Sequence, residues 1–236
     1  MVTVKQRKVK DDINSRENIV QLIRDYPDNE FKEVIQDIGF NCEMCTKCCT
    51  ASFNDHILLL ENDIERIKDI DPTVLYPAPD FEFCDQYGKL YSCGYTIKTK
   101  NDSDKTCIFL QNGLCTIYSK RPLICRVYPY MLFPVIKKKG NVDWNMISGL
   151  NEHGYYHNHI DDETCNSIIH QTKEYEIRFQ EHMIMFMRTI LTHFQKNGLK
   201  HIPAMQAQKI REYNKGQTIE ILVYHKGKFE TFSEQK

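Results

Sequence analysis

The sequence predicts an α+β fold in which an irregular, cysteine-rich, metal-centred core with small hairpins is flanked by N-terminal helices and a long C-terminal helix. Three observations predict this fold class. Apolar residues recur at helical spacing near both ends of the chain. All ten cysteines lie between residues 42 and 165. Between those limits the apolar runs are short and are separated by turn-forming residues, which is typical of small hairpins.

Two helices are predicted over residues 14–39, ahead of the first cysteine. Ser15 can cap the first helix, at the start of its apolar pattern. Asp28 can cap the second, and Gly39 stands where a left-handed residue commonly ends a helix. The chain then enters the cysteine-rich metal-binding core, which we expect to span residues 40–165.

Short elements are predicted inside this core. Residues 56–60, with three consecutive leucines, have the length and composition of a strand, and a helix is expected to follow until Pro72. A lysine-rich turn separates two further strand candidates, which predicts a hairpin formed by residues 131–136 and 142–147.

The C-terminal part of the chain predicts one long helix and a closing hairpin. Apolar positions step by three or four from Ile168 to Phe194, and Gly198 ends the pattern, so the helix is expected over residues 166–198. Two short apolar runs on either side of a glycine-containing turn predict a hairpin over residues 215–236.

Composition excludes several classes of function. The 31 basic and 32 acidic residues give a net charge of -1, and the basic stretches at residues 5–10 and 137–139 are too short to favour nucleic acid. No apolar run approaches the roughly 18 residues of a membrane span. The N-terminus lacks the apolar region of a secretory signal, so we expect a cytoplasmic protein with reduced cysteines. Residues 1–236 show no repeat and no clear boundary, which predicts a single domain.

Four cysteines form a compact C-x2-C-x2-C-C motif at Cys42, Cys45, Cys48 and Cys49. Thiolates three residues apart in a turn-rich loop can approach one small volume, so this spacing predicts metal binding. The motif differs from a bacterial ferredoxin run, where position 52 would be cysteine rather than Ser52, and from the C-x3-C-x2-C of radical S-adenosylmethionine enzymes. Adjacent residues do not easily project both sulfurs in one direction, so one of the last pair is expected to bridge or to serve a second centre.

A second, more widely spaced set of cysteines follows. Asn112 and Gly113 are a strong hairpin signal between Cys107 and Cys115, which predicts that these two thiols approach each other. Cys125 lies between two prolines that stiffen its segment. Four thiolates around zinc or a cluster leave net negative charge, so nearby cations are candidate hydrogen-bond donors and counter-charges: Lys47, Arg121 and Arg126. Surface ion pairing is the alternative role for the two arginines.

The remaining cysteines and a histidine-rich segment leave alternatives open. Cys84, Cys93 and Cys165 have no local pattern, and burial in the core is the favoured interpretation over metal binding or redox chemistry. The imidazoles of His153, His157 and His159 could supply metal ligands, although a polar surface loop is the favoured interpretation for that segment.

The cysteines and their flanking residues resemble the YkgJ-type CxxCxxCC proteins over roughly residues 40–130. That family is described as zinc- or iron-chelating, is often labelled as Fe-S cluster containing, and includes the flagellin lysine N-methyltransferase FliB. One departure is that Cys165 is followed by Asn166, where many relatives have Cys-Pro-Gly. The resemblance implies seven metal ligands: Cys42, Cys45, Cys48, Cys49, Cys107, Cys115 and Cys125.

Three functions are compatible with these residues. We expect a [4Fe-4S] cluster in a redox, structural or cluster-dependent role, because zinc modules usually present two separated C-x2-C pairs and this chain has one compact run. The resemblance alone implies the second, an S-adenosylmethionine-dependent protein lysine methyltransferase. The third is a zinc-stabilised interaction module. Nucleotide-binding and serine-hydrolase motifs are absent from the sequence, and the expected partner is a protein substrate or a redox protein.

Overall fold

The computed structural model describes residues 4–137 and 140–233, so the turn residues Lys138 and Lys139 lie outside the described residues. Helices and short antiparallel hairpins occur in separate runs along the chain, which confirms the α+β class. The helices are α1 Val4–Asp25, α2 Asp28–Ile38, α3 Ala51–Asn54, α4 Glu61–Ile70, α5 Leu123–Val127, α6 Asp162–Lys196 and α7 Pro203–Asn214. The strands are β1 Leu75–Pro77, β2 Phe81–Cys84, β3 Leu90–Ser92, β4 Tyr95–Ile97, β5 Leu110–Gln111, β6 Leu114–Cys115, β7 Tyr130–Ile136, β8 Val142–Ile147, β9 Glu220–His225 and β10 Lys228–Ser233.

The N-terminal helices pack on the predicted long helix, α6. Helix α1 begins at Val4, so Ser15 lies inside it and the predicted cap was wrong. The helix extends further because Val9 and Ile13 are buried in one cluster with Met187 and other residues of α6. None of the helices in the described ranges has the length and apolar character needed to cross a membrane.

Helix α2 ends as predicted and brings the chain to the first cysteine. Gly39 closes it in a left-handed conformation with φ of 50°, and its N–H donates to Ile35 O. A Cβ at this position would lie 2.3 Å from the carbonyl oxygen of Asn158. Glycine is therefore required both by the backbone conformation and by the close approach of the 157–158 segment.

The predicted C-terminal hairpin joins a larger sheet. Four strands have the order β10-β9-β3-β2, and β9 pairs in parallel with β3, with Leu90 opposite Ile221. Helix α7, which the sequence pattern did not reveal, packs against this sheet, where the Phe81 and Tyr213 ring centroids are 5.2 Å apart. The other two predicted hairpins are present as β5–β6 and β7–β8.

The strand predicted at residues 56–60 is not formed. This segment is extended and makes one backbone hydrogen bond into the adjacent chain, from Leu59 N to Tyr95 O at 2.9 Å. Its leucines enter three different apolar clusters, with Leu58, Leu59 and Leu60 each in a separate one. Burial on all sides, rather than strand pairing, explains the apolar run.

Candidate metal centre

The C-x2-C-x2-C-C motif occupies a tight loop between α2 and α3. Met44 and Thr46 both have positive φ, 55° and 67°, a conformation that is uncommon for residues other than glycine. These two residues turn the chain between successive cysteines. A short 3-10 helix, Lys47–Cys49, follows, and Cys49 N donates to Thr46 O at 2.8 Å. The backbone therefore coils tightly where the four thiols are carried.

Backbone hydrogen bonds fasten the second cysteine set to this loop. Cys107 N donates to Cys49 O at 2.8 Å, and Thr50 and Thr106 form an antiparallel bridge. In the β5–β6 hairpin, Leu110 is paired with Cys115. The predicted Asn-Gly turn thus places Cys115 beside the segment that carries Cys107.

Cys125 lies on the short helix α5, whose position is fixed by the buried carboxylate of Asp63. Both oxygens of Asp63, in α4, lie 3.3 Å from the backbone N–H of Leu123, the first residue of α5. The Arg66 guanidinium pairs with the same carboxylate. Asp63 therefore fixes the start of the helix whose third residue is Cys125.

Six of the seven predicted ligand thiols line one cavity of about 380 Å³. The cavity also has apolar walls, which include Ile57, Ile97 and Phe109, and Arg121 reaches it. All ten cysteines are free thiols. The thiols at the cavity are Cys42, Cys48, Cys49, Cys107, Cys115 and Cys125.

Cys49 has the most acidic of these thiols. A hydrogen bond from the Cys48 thiol lowers the pKa of Cys49 to about 7; burial opposes this shift and the Arg121 guanidinium favours it. The same hydrogen bond, together with burial, raises the pKa of Cys48. The two adjacent sulfurs are therefore in contact with each other, with negative charge favoured on Cys49.

Burial favours the neutral form of three further thiols at the cavity. Burial raises the pKa of Cys107 to about 11, and burial also raises the pKa of Cys125 and of Cys115. Negative charge on Cys49 also raises the pKa of each of the three. The pKa of Cys125 is raised in the same way by Cys107 and Cys115. The sulfur of Cys49 therefore lies within electrostatic range of the other three. Metal charge would favour their thiolate forms.

The three predicted cations occupy different positions. The Arg121 guanidinium lies over the Tyr118 ring, 3.8 Å from its centroid, and lines the cavity. Lys47 Nζ donates to the carbonyl oxygen of Glu152 at 2.9 Å. Arg126 is exposed, and its charge acts on Asp63. Arg121 is thus the one of the three that borders the thiol cavity.

Cys45 stands apart from the cavity. Its thiol hydrogen-bonds to the carboxylate of Glu43, which lowers the pKa of that carboxyl after the larger effect of the Gly154 N–H. The thiols of Cys48 and Cys45 both act on the hydroxyl of Tyr128, whose pKa is raised chiefly by burial. Cys45 therefore lies on the side of the loop nearest Tyr128, a residue that also lines the cavity.

His153 is buried on that side, so the surface-loop interpretation was wrong for this residue. Its side chain is 8% exposed, and it packs against the rings of Phe53, Tyr128 and Phe40, with centroids 5.1, 5.5 and 6.0 Å away. Burial lowers its pKa, and the Lys47 charge acts in the same direction. His157 and His159 are exposed, in agreement with that interpretation.

The three remaining cysteines lie in the apolar interior. Cys84 belongs to the cluster beneath the four-stranded sheet, Cys93 to the cluster around Phe186, and Cys165 to the cluster between α2 and α6. Burial raises the pKa of Cys84 to about 11 and that of Cys93 to about 12. All three are buried, and none lines the thiol cavity.

The thiols at the cavity are suitable ligands for a metal ion or a cluster, although their sulfur atoms do not yet surround a single point. In the part of the chain that the structure describes, no three Cys, His, Asp or Glu side chains are already arranged around one ion. The thiols instead surround an open cavity with a cation at its wall. Thiolates are ligands for zinc and for iron–sulfur clusters, so the chemistry of the residues suits both.

Sequence reasoning named His153 as a possible metal ligand but favoured a surface position for it, and it did not single out Tyr128. The only available signal for Tyr128 was its place in the segment after Cys125. The burial of His153 goes with close packing at Gly154, where a Cβ would lie 2.3 Å from the Phe40 ring. Nothing in the local polar composition indicates that closeness.

Comparison with known families agrees with this cysteine pattern. Residues 41–166, slightly more than half of the chain, match the CxxCxxCC family model, described as "Putative zinc- or iron-chelating domain". No curated protein and no solved structure matches the chain. The matched range contains all seven cysteines of the loop and the cavity, and the chain belongs to the CxxCxxCC family.

Proposed function

We propose that this protein binds a [4Fe-4S] cluster through its clustered cysteines. The observation that carries the proposal is the convergence of six thiols from four separate segments on one cavity. Within that set, the candidate cluster ligands are Cys49 and the three thiols whose pKa its sulfur affects: Cys107, Cys115 and Cys125. The remaining members of the proposed seven metal ligands are Cys42, Cys45 and Cys48.

The size and lining of the cavity favour a cluster over a single ion. Its volume of about 380 Å³ leaves room for a group of several atoms. A structural zinc site is closed by four ligands around a single ion. Apolar walls that include Ile57, Ile97 and Phe109 suit such a group better than a single hydrated ion.

Arg121 supports the same proposal through its charge. A cluster held by four thiolates carries net negative charge. The Arg121 guanidinium adds to the effect of the Cys48 hydrogen bond in lowering the pKa of Cys49, and it opposes the rise that burial causes in the pKa of Cys115. Its Nε is buried and has no hydrogen-bond partner. An N–H group at this position can donate to a ligand sulfur, which is a known means of setting the potential of a cluster. When bound, such a cluster would supply one-electron transfer, and a redox protein or a protein substrate would be the partner.

Anaerobic purification followed by elemental analysis and an optical spectrum tests this function. We expect a brown protein with about four iron and four acid-labile sulfide per chain, the content of one [4Fe-4S] cluster. Reversible bleaching by dithionite would assign it a redox role. A colourless protein that contains only stoichiometric zinc would overturn the cluster and leave a zinc-stabilised module.

The ligand assignment has its own test in Cys125→Ala. We expect this variant to lose iron and to be less soluble, because the binding energy of a metal is coupled to folding. Cys84→Ala is the matched control, since Cys84 is buried but lies away from the cavity, and it should keep its iron. Full iron content in soluble Cys125→Ala would remove Cys125 from the ligand set.

A further inference from the structure

The β7–β8 hairpin has a strand edge that no other described strand covers. Strand β7 packs against α1 and α6, whereas β8 pairs with β7 alone among the described residues. Proteins commonly protect such an edge with proline, lysine or a covering loop, and β8 contains neither residue type. The edge of β2, by contrast, is occupied by a loop, since Ile202 N donates to Cys84 O at 3.0 Å. The edge of β8 is therefore available to another strand.

The hydrogen bonds of the hairpin show which backbone groups of β8 face outward. The hairpin closes with Lys137 N donating to Asn141 O at 2.8 Å. Because the direction of bonding alternates along a strand, every second residue of β8 directs its N–H and C=O groups away from β7. Pro134, which has no N–H, lies opposite Trp144, and Trp144 N donates to the Asp143 carboxylate at 3.0 Å, as this alternation requires. The outward-facing residues are Val142, Trp144 and Met146.

An antiparallel copy of β8 can pair all of these outward-facing groups in one register. That register is centred on Trp144 and places Val142 opposite Met146 of the second copy. Asp143 then lies opposite Asn145 of the second copy, so a carboxylate faces an amide that can donate to it. Apolar residues face apolar residues, and no like charges are opposed, which favours the pairing.

Exposed apolar side chains lie at both ends of this edge. Val135 and Ile136, at the hairpin end of β7, are 37% and 48% exposed, and Leu150, just beyond the other end of β8, is 47% exposed. Antiparallel pairing about a two-fold axis brings the hairpin end of each copy beside the Leu150 end of the other. The same contact thus covers apolar surface at both ends.

We propose that β8 pairs edge to edge with β8 of a second copy of this chain, which joins two hairpins into one four-stranded antiparallel sheet. The occupant is a second copy because the strand is complementary to itself in both apolar pattern and charge. Residues 142–146 of each copy form a contact smaller than a standard interface, so the dimer is reversible and depends on concentration. No cysteine takes part, and the proposal does not rest on the proposed function.

Sedimentation equilibrium of the anaerobically purified full chain tests the dimer. We expect the mass to rise from 27.9 kDa toward twice that value between micromolar and submillimolar concentration. Asn145→Asp opposes carboxylates at two symmetry-related positions and should weaken the dimer about tenfold. Asn145→Lys gives Asp143 an opposite charge and should dimerise at least as tightly as the wild type. Asn101→Asp, the same charge change at an exposed position in another loop, is the matched control and should behave like the wild type.

Hydrogen–deuterium exchange locates the contact. We expect peptides that cover residues 142–147 to exchange more slowly in concentrated than in dilute protein, while peptides from β10, another edge strand, exchange equally in both. A mass of 27.9 kDa at every concentration overturns the proposal, as does equal dimerisation by Asn145→Asp and Asn145→Lys. Slowed exchange confined to other segments also overturns it. Iron is measured in each sample: an iron-loaded monomer counts against the dimer alone, and an iron-free dimer counts against the cluster alone.

Discussion

Asp63 shows how a residue outside the cavity controls a cysteine within it. The carboxylate is 2% exposed, and it accepts the N–H of Leu123 while pairing with Arg66. Burial raises the pKa of Asp63, while the Leu123 N–H and the Arg66 charge oppose that shift. A buried carboxylate is tolerated when its oxygens accept hydrogen bonds. Here the bond from Leu123 anchors the start of α5.

Replacing Asp63 by alanine is expected to destabilise the protein and loosen Cys125 together. The change leaves the Leu123 N–H buried without its acceptor, so we expect a loss of about 1–3 kcal/mol in the free energy of unfolding. Urea denaturation measures it, and iron content should fall in parallel. Asp69→Ala, on the exposed face of the same helix, should change neither quantity. Full stability in Asp63→Ala would mean that α5 is held by its apolar contacts alone.

Single residues were predictable where the chemistry is local. The seven candidate ligands follow from cysteine spacing and from the family resemblance, and the structure brings six of them to one cavity. His153 was not predictable in the same way. Its burial depends on Phe40 and Phe53, which lie about a hundred residues earlier in the chain, and the polar composition around it indicates a surface loop.

At the scale of elements, α6 carries an unusual polar stripe on its buried face. Thr172, Glu176 and Gln180 follow each other at four-residue spacing, and all three are buried. Arg16 Nη1 donates to Gln180 Oε1 at 2.6 Å, and Leu132 N donates to Glu176 Oε1 at 3.4 Å. The stripe faces α1 and β7, so the polar residues link three elements.

Glu176 makes the stability of this helix packing depend on pH. Burial raises the pKa of Glu176 to about 7, against the opposing hydrogen bond from Leu132. The folded state therefore favours the neutral carboxyl. Its contribution is fully present below the unfolded pKa, near 4.5, and is lost as the pH rises through about 7.

Glu176→Gln removes this dependence while keeping an acceptor for Leu132. We expect the variant to be more stable than the wild type by up to about 3 kcal/mol at pH 8, with the difference shrinking toward zero near pH 4.5. Urea denaturation of both proteins at pH 5, 6, 7 and 8 measures the difference. Glu181→Gln, an exposed carboxylate on α6, should show no such trend. A constant difference across this pH range would contradict a buried, titrating Glu176.

Helices and hairpins could be predicted where the sequence pattern reports on neighbouring residues. A fully buried segment was ambiguous, because its apolar residues fit more than one secondary structure. The long helix and all three hairpins were predicted from periodicity and turn residues, because these patterns report on neighbouring residues. Complete burial of residues 56–60 produces the apolar run that a strand would also produce. The start of α1 was missed because its apolar positions are sparse before Ser15, and the helix there depends on packing against α6.

At the scale of the whole molecule, we propose that the chain unfolds as one cooperative domain. Trp144, the single tryptophan, lies in β8 with its ring 4.5 Å from that of Tyr26, and reports on the region between α1, α2 and α6. Far-UV circular dichroism reports on all helices together. Melting curves from the two probes should coincide. Two separated transitions would divide the chain into independent parts.

The overall topology was beyond the reach of sequence patterns. The parallel pairing of β3 with β9 joins segments separated by about 130 residues, and the sequence of neither strand indicates which strand it pairs with. The metal centre has the same character, since the loop after α2, the β5–β6 hairpin and α5 meet only in three dimensions. Local patterns identify the pieces, whereas long-range packing assembles them.

The position of β9 in that sheet has a consequence for the order of events during synthesis. One edge of β3 stays without its neighbour until residues 220–225 have left the ribosome, long after the last cysteine of the cavity has been made. Pairings of such long sequence separation form slowly, and unpaired strand edges favour aggregation. The cysteine-bearing segments therefore emerge well before the sheet beside them is complete.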